Sequence, residues 1–327
     1  MKTLLVYYIS EYGYGHATRS VAMIRELLNR NALLKIIICN QFALPFLKES
    51  LKEYGDRVLF HEVKTDVGYV LKEGTLELDP MAMNVQYRDY ITAFPDLVKE
   101  EWMYLKSFSP EGILSDVSPL GLAVGKELGI HCAGISNFTW AGACQHVVDP
   151  DIHQWLVNQY SQADFFYRLA GFNEEWDTPY QDVGFYSRKV DIAEVFRLKR
   201  EYDIQPDESV VFVSIGMKID VEEVNSWPLW SRNNCRFIVS NVLNVSHPNV
   251  ISIPTYYTES QNFIALSDVV ITKASWGTVS EAVINHKRLM IINRDMEEDQ
   301  NTLAYLQRNY RVNVIEYDDL KNGYIEM

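Results

Sequence analysis

The chain has 327 residues, of which 47% are hydrophobic and 23% charged, and a formal net charge of −14. That composition suits a globular chain long enough for two domains, not a disordered one. The acidic balance argues against a nucleic-acid partner, which needs concentrated Lys and Arg, and against docking on an anionic membrane surface by charge alone.

The start, MKTLLVYYIS, reads as a first strand and not as a secretory leader. No run approaches the length of a membrane span. Cys39, Cys132, Cys144 and Cys235 form no Cys-x-x-Cys pair and read as buried thiols in a reducing cytosol.

In chain order, strand and helix alternate. Leu4–Ile9 is the first expected strand, and Ser10–His16 a glycine-bearing loop. Ala17–Asn29 has helical spacing, with Val21, Ile24, Leu27 and Leu28 as its apolar stripe. Leu33–Cys39 and Arg57–Val63 read as strands around a helix at Phe42–Tyr54. This rhythm predicts a parallel, doubly wound α/β sheet. Thr65–Tyr90, with Gly68, Gly74 and Pro80, breaks it and reads as a long loop, either a wall of a substrate site or a surface excursion. A helix is expected at Ile91–Lys106, then a strand at Gly112–Asp116 that ends in an acid. Pro119–Leu128 reads as a helix and Ile130–Ser136 as a strand. Asn137-Phe-Thr-Trp140 then opens a loop at a strand's carboxyl end, where such sheets bind ligands. Asp151–Ser161 is a helix and Asp164–Leu169 a strand.

Glu174–Arg188 has one proline, one glycine and no period, and reads as a linker between domains at 1–178 and 179–327. The second half repeats the theme. A helix at Ile192–Glu201 precedes the strand Ser209–Ile215, closed by the small-residue turn Ser214-Ile-Gly216. Strands follow at Cys235–Ser240 and Val250–Ile253, then a helix at Ser260–Leu266. In Ser267–Asn301 a strand (Asp268–Thr272), a loop (Lys273–Thr278) and a helix (Val279–His286) are expected, and Arg311–Ile315 is the last strand.

Two stretches carry chemistry. A strand feeding a small-residue loop and a helix N-terminus, as at Val269–Glu281, presents unpaired backbone N–H groups to an anion. Thr278-Val-Ser-Glu281 equally fits a capping box. Gly13-Tyr-Gly-His16-Ala-Thr-Arg19 is the second, and its glycines allow a tight turn. It lacks the third glycine of a dinucleotide fingerprint, and Asn40 and Gln41 stand where an acid would follow strand two, which disfavours a nicotinamide cofactor. Asp116 either orients a histidine or caps the helix after Ser118-Pro119. Asp149-Pro-Asp151 reads as a helix-start turn. The histidines show no metal spacing, and no P-loop or Gly-x-Ser-x-Gly elbow is present.

Ser267-Asp268-Val269-Val270, Gly277-Thr278-Val279-Ser280-Glu281 and Asp299-Gln300-Asn301 together resemble the donor-site signature of GT-B fold glycosyltransferases, in their MurG-like and UDP-glycosyltransferase-like branch. Ala274 and Ser275 replace the family's paired glycines, and Ile291–Arg294 lacks its proline. Gly13-Tyr-Gly-His16 is similar to the first-loop element of the same branch. The resemblance implies two Rossmann-like doubly wound domains facing across a cleft, and transfer of a sugar from a UDP- or dTDP-sugar to a hydroxyl or amine of a small molecule or glycan. It implies no metal and no cofactor, and a cytosolic protein. It further implies that His16 serves as base, oriented by Asp116. Ser275, Trp276, Gly277 and Thr278 would hold the diphosphate, with Lys273 facing the nucleotide. Glu281 would take the ribose and Asp299 and Gln300 the sugar, while Gly13, Gly15, Ser214 and Gly216 line the donor site. Hydrolysis of the nucleotide-sugar, or binding without catalysis, are the alternatives; the oligomeric state stays open.

Overall fold

The computed structural model describes residues 3–73, 77–215, 224–240, 243 and 245–324. Contacts divide the chain into a first unit, Met1–Lys72 with Glu77–Gly184, and a second built on Phe185–Met327. Gly74 and Gly216 lie outside the described residues.

The first unit is a parallel sheet of β1 (Leu4–Ile9), β2 (Lys35–Cys39), β3 (Val58–His61), β4 (Gly112–Asp116), β5 (His131–Ser136), β6 (Phe165–Leu169) and β7 (Tyr180–Val183). Their order is β3-β2-β1-β4-β5-β6-β7. Val6, Tyr7, Tyr8 and Ile9 are all buried, as expected of a central strand covered on both faces. The order reverses between β1 and β4, where Ile9 lies opposite Asp116. Crossovers leave the two neighbouring strands there in opposite directions, which opens a crevice at their carboxyl ends. Behind it the helix Pro119–Leu128 packs closely on the sheet: a Cβ on Gly121 would stand 2.7 Å from Ser115 Oγ and 2.8 Å from the Tyr8 ring.

Two expectations need correction here. The loop expected at Thr65–Tyr90 ends early, because a helix runs from Pro80 to Leu105 and takes in its last part. Asp79 caps it by accepting from the Ala82 N–H at 2.9 Å, and Pro80 occupies the first turn, where a missing N–H costs nothing. Pro80 therefore starts the helix rather than interrupting it. The irregular segment that remains before it is anchored at Thr65. Its Oγ1 donates to the Ile9 carbonyl at 2.6 Å, and its own carbonyl accepts from Ser118 Oγ at 2.9 Å and the Tyr90 hydroxyl at 2.7 Å. The linker expected at Glu174–Arg188 contains β7, which pairs with β6, so the division falls after Gly184 and not after 178.

The second unit is also a parallel sheet: β8 (Ser209–Ser214), β9 (Cys235–Val239), β10 (Val250–Ser252), β11 (Val269–Lys273), β12 (Arg288–Ile292) and β13 (Val312–Ile315), in the order β10-β9-β8-β11-β12-β13. Its order reverses between β8 and β11, where Ser214 lies opposite Thr272. One face is covered by Trp227 and Trp230, stacked at 5.9 Å, with Phe237 edge-on to Trp230. Cys39, Cys132 and Cys144 are buried and Cys235 half-buried. Among the described residues no helix is long and apolar enough to cross a membrane.

Candidate functional site

In the first unit the site forms where β1 ends. Gly13 has φ +80° and ψ 169°, a backbone region closed to L side chains. This turn lets the helix begin at Tyr14, three residues before the expected Ala17. Gly15 and His16 therefore lie in the first helical turn and not in a loop. The space where a Gly15 Cβ would stand meets nothing within 4 Å. His16 is 4% exposed and turns toward the sheet.

His16 Nδ1 lies 2.9 Å from Asp116 Oδ1. Asp116 is fully buried at the end of β4. Burial pushes its carboxyl up, but Arg19 and then His16 outweigh that and hold it at about 2. Arg19 Nε donates to Asp116 Oδ2 at 2.7 Å, Arg19 Nη2 donates to Oδ1, and Ser20 Oγ donates to Oδ2 at 3.1 Å. Val117, a β-branched residue, follows with φ +64° in the left-handed region. The Tyr160 hydroxyl bonds its carbonyl, so local strain sits directly behind the carboxylate. Asp116 does not cap the next helix: the N-cap is Ser118.

β5 supplies the third side. Asn137 Oδ1 accepts from Arg19 Nη1 at 2.6 Å, and Ser136 Oγ accepts from Arg19 Nη2 at 3.2 Å. Asn137 Nδ2 is buried and has no hydrogen-bond partner among the described residues. The Phe138 ring is 5.8 Å from the imidazole, and Trp140, Tyr12 and Tyr69 continue the aromatic wall at 5.0–5.6 Å. Trp140 Nε1 and the Glu11 N–H each donate to Asp66 at 3.0 Å; burial nevertheless lifts the Asp66 carboxyl to about 6.

In the second unit the helix Trp276–Ile284 begins three residues before the expected Val279. Only Ala274 and Ser275 separate it from β11, so Trp276, Gly277 and Thr278 form its first turn. Ser275 is the N-cap, without a side-chain bond, and Glu281 falls in the second turn; the capping-box geometry is absent. The Trp276 indole is buried between Phe185 at 5.5 Å and Tyr186 at 5.0 Å, which leaves its backbone as the part able to meet an anion. Lys273 ends β11 half-buried; burial pushes its ammonium down, against Asp299. Ser214 ends β8 on the neighbouring strand.

Glu281 has a protein partner. Arg188 Nε and Nη2 stand 2.9 and 2.8 Å from Glu281 Oε1. The same guanidinium donates to the Thr258 carbonyl and, at 2.9 Å, to Ser260 Oγ. Burial still raises the Glu281 carboxyl, with Arg188 opposing. Asp299 Oδ2 forms an ion pair with Arg294 Nη1 at 3.3 Å but no hydrogen bond among the described residues; nor do the buried Oγ1 atoms of Thr272 and Thr302 make one. Gln300 is exposed and donates to the Arg294 carbonyl at 2.6 Å.

Sequence reasoning gave no role to Ser20, Ser136 and Arg188, and placed Arg19 and Asn137 only as members of the Gly13–Arg19 and Asn137–Trp140 stretches. Arg19 was within reach: with the helix started at Tyr14, a residue three after His16 shares its face. At Asn137 and Arg188 the signal stopped at the loop and the linker that contain them; their partners lie about a hundred residues away.

No protein-family model matches the chain. Among curated proteins it is similar to L-arabinokinase of Arabidopsis thaliana, 23% identical over 327 residues, with 95% of this chain covered; the chain spans 30% of that relative's length. Among solved structures it is similar to UGT2 of Phytolacca americana complexed with UDP-2-fluoro-glucose and pterostilbene, with TM-score 0.65, 14% identity, and 98% of this chain and 88% of that one covered. It is also similar to UGT71G1 of Medicago truncatula complexed with UDP-glucose, with TM-score 0.64, 13% identity and 99% and 88% covered. The glycosyltransferase SnogD of Streptomyces nogalater matches with TM-score 0.61, 13% identity and 98% and 88% covered. What these likenesses establish is the fold: two parallel-sheet, Rossmann-like α/β domains of the GT-B type.

Proposed function

We propose that the protein is a metal-independent glycosyltransferase that moves a sugar from a UDP- or dTDP-sugar to an acceptor hydroxyl or amine. The observation that carries this reading is the buried His16–Asp116 contact at the point where the first sheet reverses its strand order. A hydroxyl is a poor nucleophile at neutral pH. His16 Nε2 takes its proton while the acceptor oxygen bonds to the anomeric carbon and the bond from that carbon to the diphosphate breaks. The electron pair of that bond leaves with the nucleoside diphosphate. Its growing charge meets the N–H groups of Trp276, Gly277 and Thr278, with Lys273 as the nearby cation. Ser275 and Ser214 line that end of the second sheet, and Gly13 and Gly15 leave room beside His16. Glu281 addresses the ribose through Oε2, the oxygen to which neither Arg188 bond runs. Asp299 and Gln300 take sugar hydroxyls. UDP-sugars in the similar Phytolacca americana and Medicago truncatula structures support the donor class.

The test offers UDP-glucose or dTDP-glucose with hydroxyl and amine acceptors, and follows products by mass spectrometry and nucleotide binding by calorimetry. A glycosylated acceptor supports transfer. Free sugar and nucleoside diphosphate, formed whatever acceptor is present, would mean hydrolysis with His16 activating water. Binding without turnover would mean a nucleotide-sugar-binding module, and no binding removes the donor assignment.

A further inference from the structure

We infer that Arg19 is a positioning residue that keeps His16 neutral, so that the imidazole accepts a proton at pH values where a plain Asp–His pair would already be charged. The inference rests on the reading of His16 as the base.

A buried carboxylate beside a histidine normally favours imidazolium, because the proton cancels the buried negative charge. Here that charge is already cancelled. Arg19 meets Asp116 as a two-pronged fork, Nε on Oδ2 and Nη2 on Oδ1, the strongest geometry an arginine offers a carboxylate. The Arg19 side chain is 1% exposed and cannot shed its proton. It also cannot swing away, because Nη1 is tied to Asn137 and Nη2 to Ser136. Arg19 Nη2 lies 2.8 Å from His16 Nδ1, as close as the carboxylate oxygen at 2.9 Å. Among the described residues, Asp116 from the end of β4 and Arg19 from its own helix bring charge against the imidazole, and the β5 side brings Ser136, Asn137 and Phe138, all uncharged. A proton added to His16 would leave one net positive charge in a buried cluster. Since Arg19 holds its proton and Asp116 is held ionised, the cost falls on the imidazole.

The experiment is an NMR titration of the His16 ring, assigned by its loss in His16→Gln, in the wild type, Arg19→Gln and Arg19→Lys. The wild-type midpoint should lie below the ordinary histidine value of about 6.5. In Arg19→Gln it should rise by about 1–3 units, the usual effect of an uncancelled neighbouring charge. Arg19→Lys, which keeps the charge and loses the fork, should fall between. The acid limb of the kcat/KM profile should move up with the midpoint in Arg19→Gln. A wild-type midpoint at or above the ordinary value overturns the inference even if Arg19→Gln fails to fold. So does an unmoved midpoint in a folded Arg19→Gln. The base reading fails separately, if His16→Gln keeps normal turnover while the ring still responds to Arg19.

Discussion

Arg19–Asp116 and Arg188–Glu281 are both buried arginine–carboxylate pairs, one in each unit's candidate site, and they hold their acids differently. Asp116 accepts on both oxygens, from Arg19, His16 and Ser20, and is held at about 2. Glu281 receives both Arg188 bonds on one oxygen, while the guanidinium divides its other donors between Thr258 and Ser260; burial wins and the carboxyl is raised. The lesson is that a buried acid's ionisation follows the balance of burial against all the charges and donors around it: Arg19 and His16 together outweigh burial at Asp116, whereas at Glu281 Arg188 alone opposes burial and Glu259 adds a like charge. The first pair fixes a charge. The second clamps a side chain whose charge is lightly held, on the helix proposed to meet the nucleotide.

The hardest test of the comparison is kinetic. His16→Ala removes the group that the Asp116 charge serves, and turnover should fall by about 10²–10⁴-fold. Nucleotide affinity, assigned to the second unit, should stay unchanged by calorimetry. Asp116→Asn should lower the same step less. Near-normal turnover in His16→Ala would leave the glycine turn as a backbone device only.

Stability separates the pairs next. Asp116→Asn leaves Arg19 a buried cation without its carboxylate and should cost about 3–5 kcal/mol in urea unfolding at pH 7. Glu281→Gln keeps an acceptor for Arg188 and should cost about 1–3 kcal/mol. Equal costs would erase the distinction. The pH dependence should also run in opposite directions. The Asp116 carboxyl ionises more easily folded than unfolded, so its contribution is complete above 3.8 and drains as the pH falls toward 2. The Glu281 carboxyl protonates more easily folded, so its contribution is complete below 4.5 and declines as the pH rises through its raised value. Comparing each variant with the wild type across acid pH reads both slopes.

A binding effect of similar or smaller size follows. Glu281→Ala should weaken UDP or dTDP binding by about 1.5–3 kcal/mol if Oε2 accepts charge-assisted ribose bonds. Lower melting temperature with intact affinity would make Glu281 only the anchor of Arg188. The smallest effect expected is none: a chelator should leave turnover where it was, and loss restored by magnesium or manganese would return the diphosphate's charge to a metal.

Local sequence went far with the strands. The apolar runs Val6–Ile9, Ile36–Cys39, Val210–Val213 and Val269–Thr272 are buried on both faces, and that burial is what writes them as unbroken apolar letters. Helix starts were less legible, at Tyr14, Pro80 and Trp276, because glycine, proline and small residues there mask the helical period. The starts are set by the Gly13 backbone, the Asp79 cap and the short Ala274-Ser275 connection.

The sequence by itself determined the alternation of strand and helix, the two glycine- and small-residue stretches, and the pairing of His16 with Asp116 as a candidate. The first two are written in neighbouring residues; the third came from the family resemblance, since the two residues lie 100 apart along the chain. Only the tertiary structure decided that Arg19 and Asn137 complete the first cluster and that Arg188 holds Glu281. These partners are 97, 118 and 93 residues apart along the chain. Parallel register and crossover connections bring such residues to one strand end, and the cost of burying a charge then decides which of them must meet.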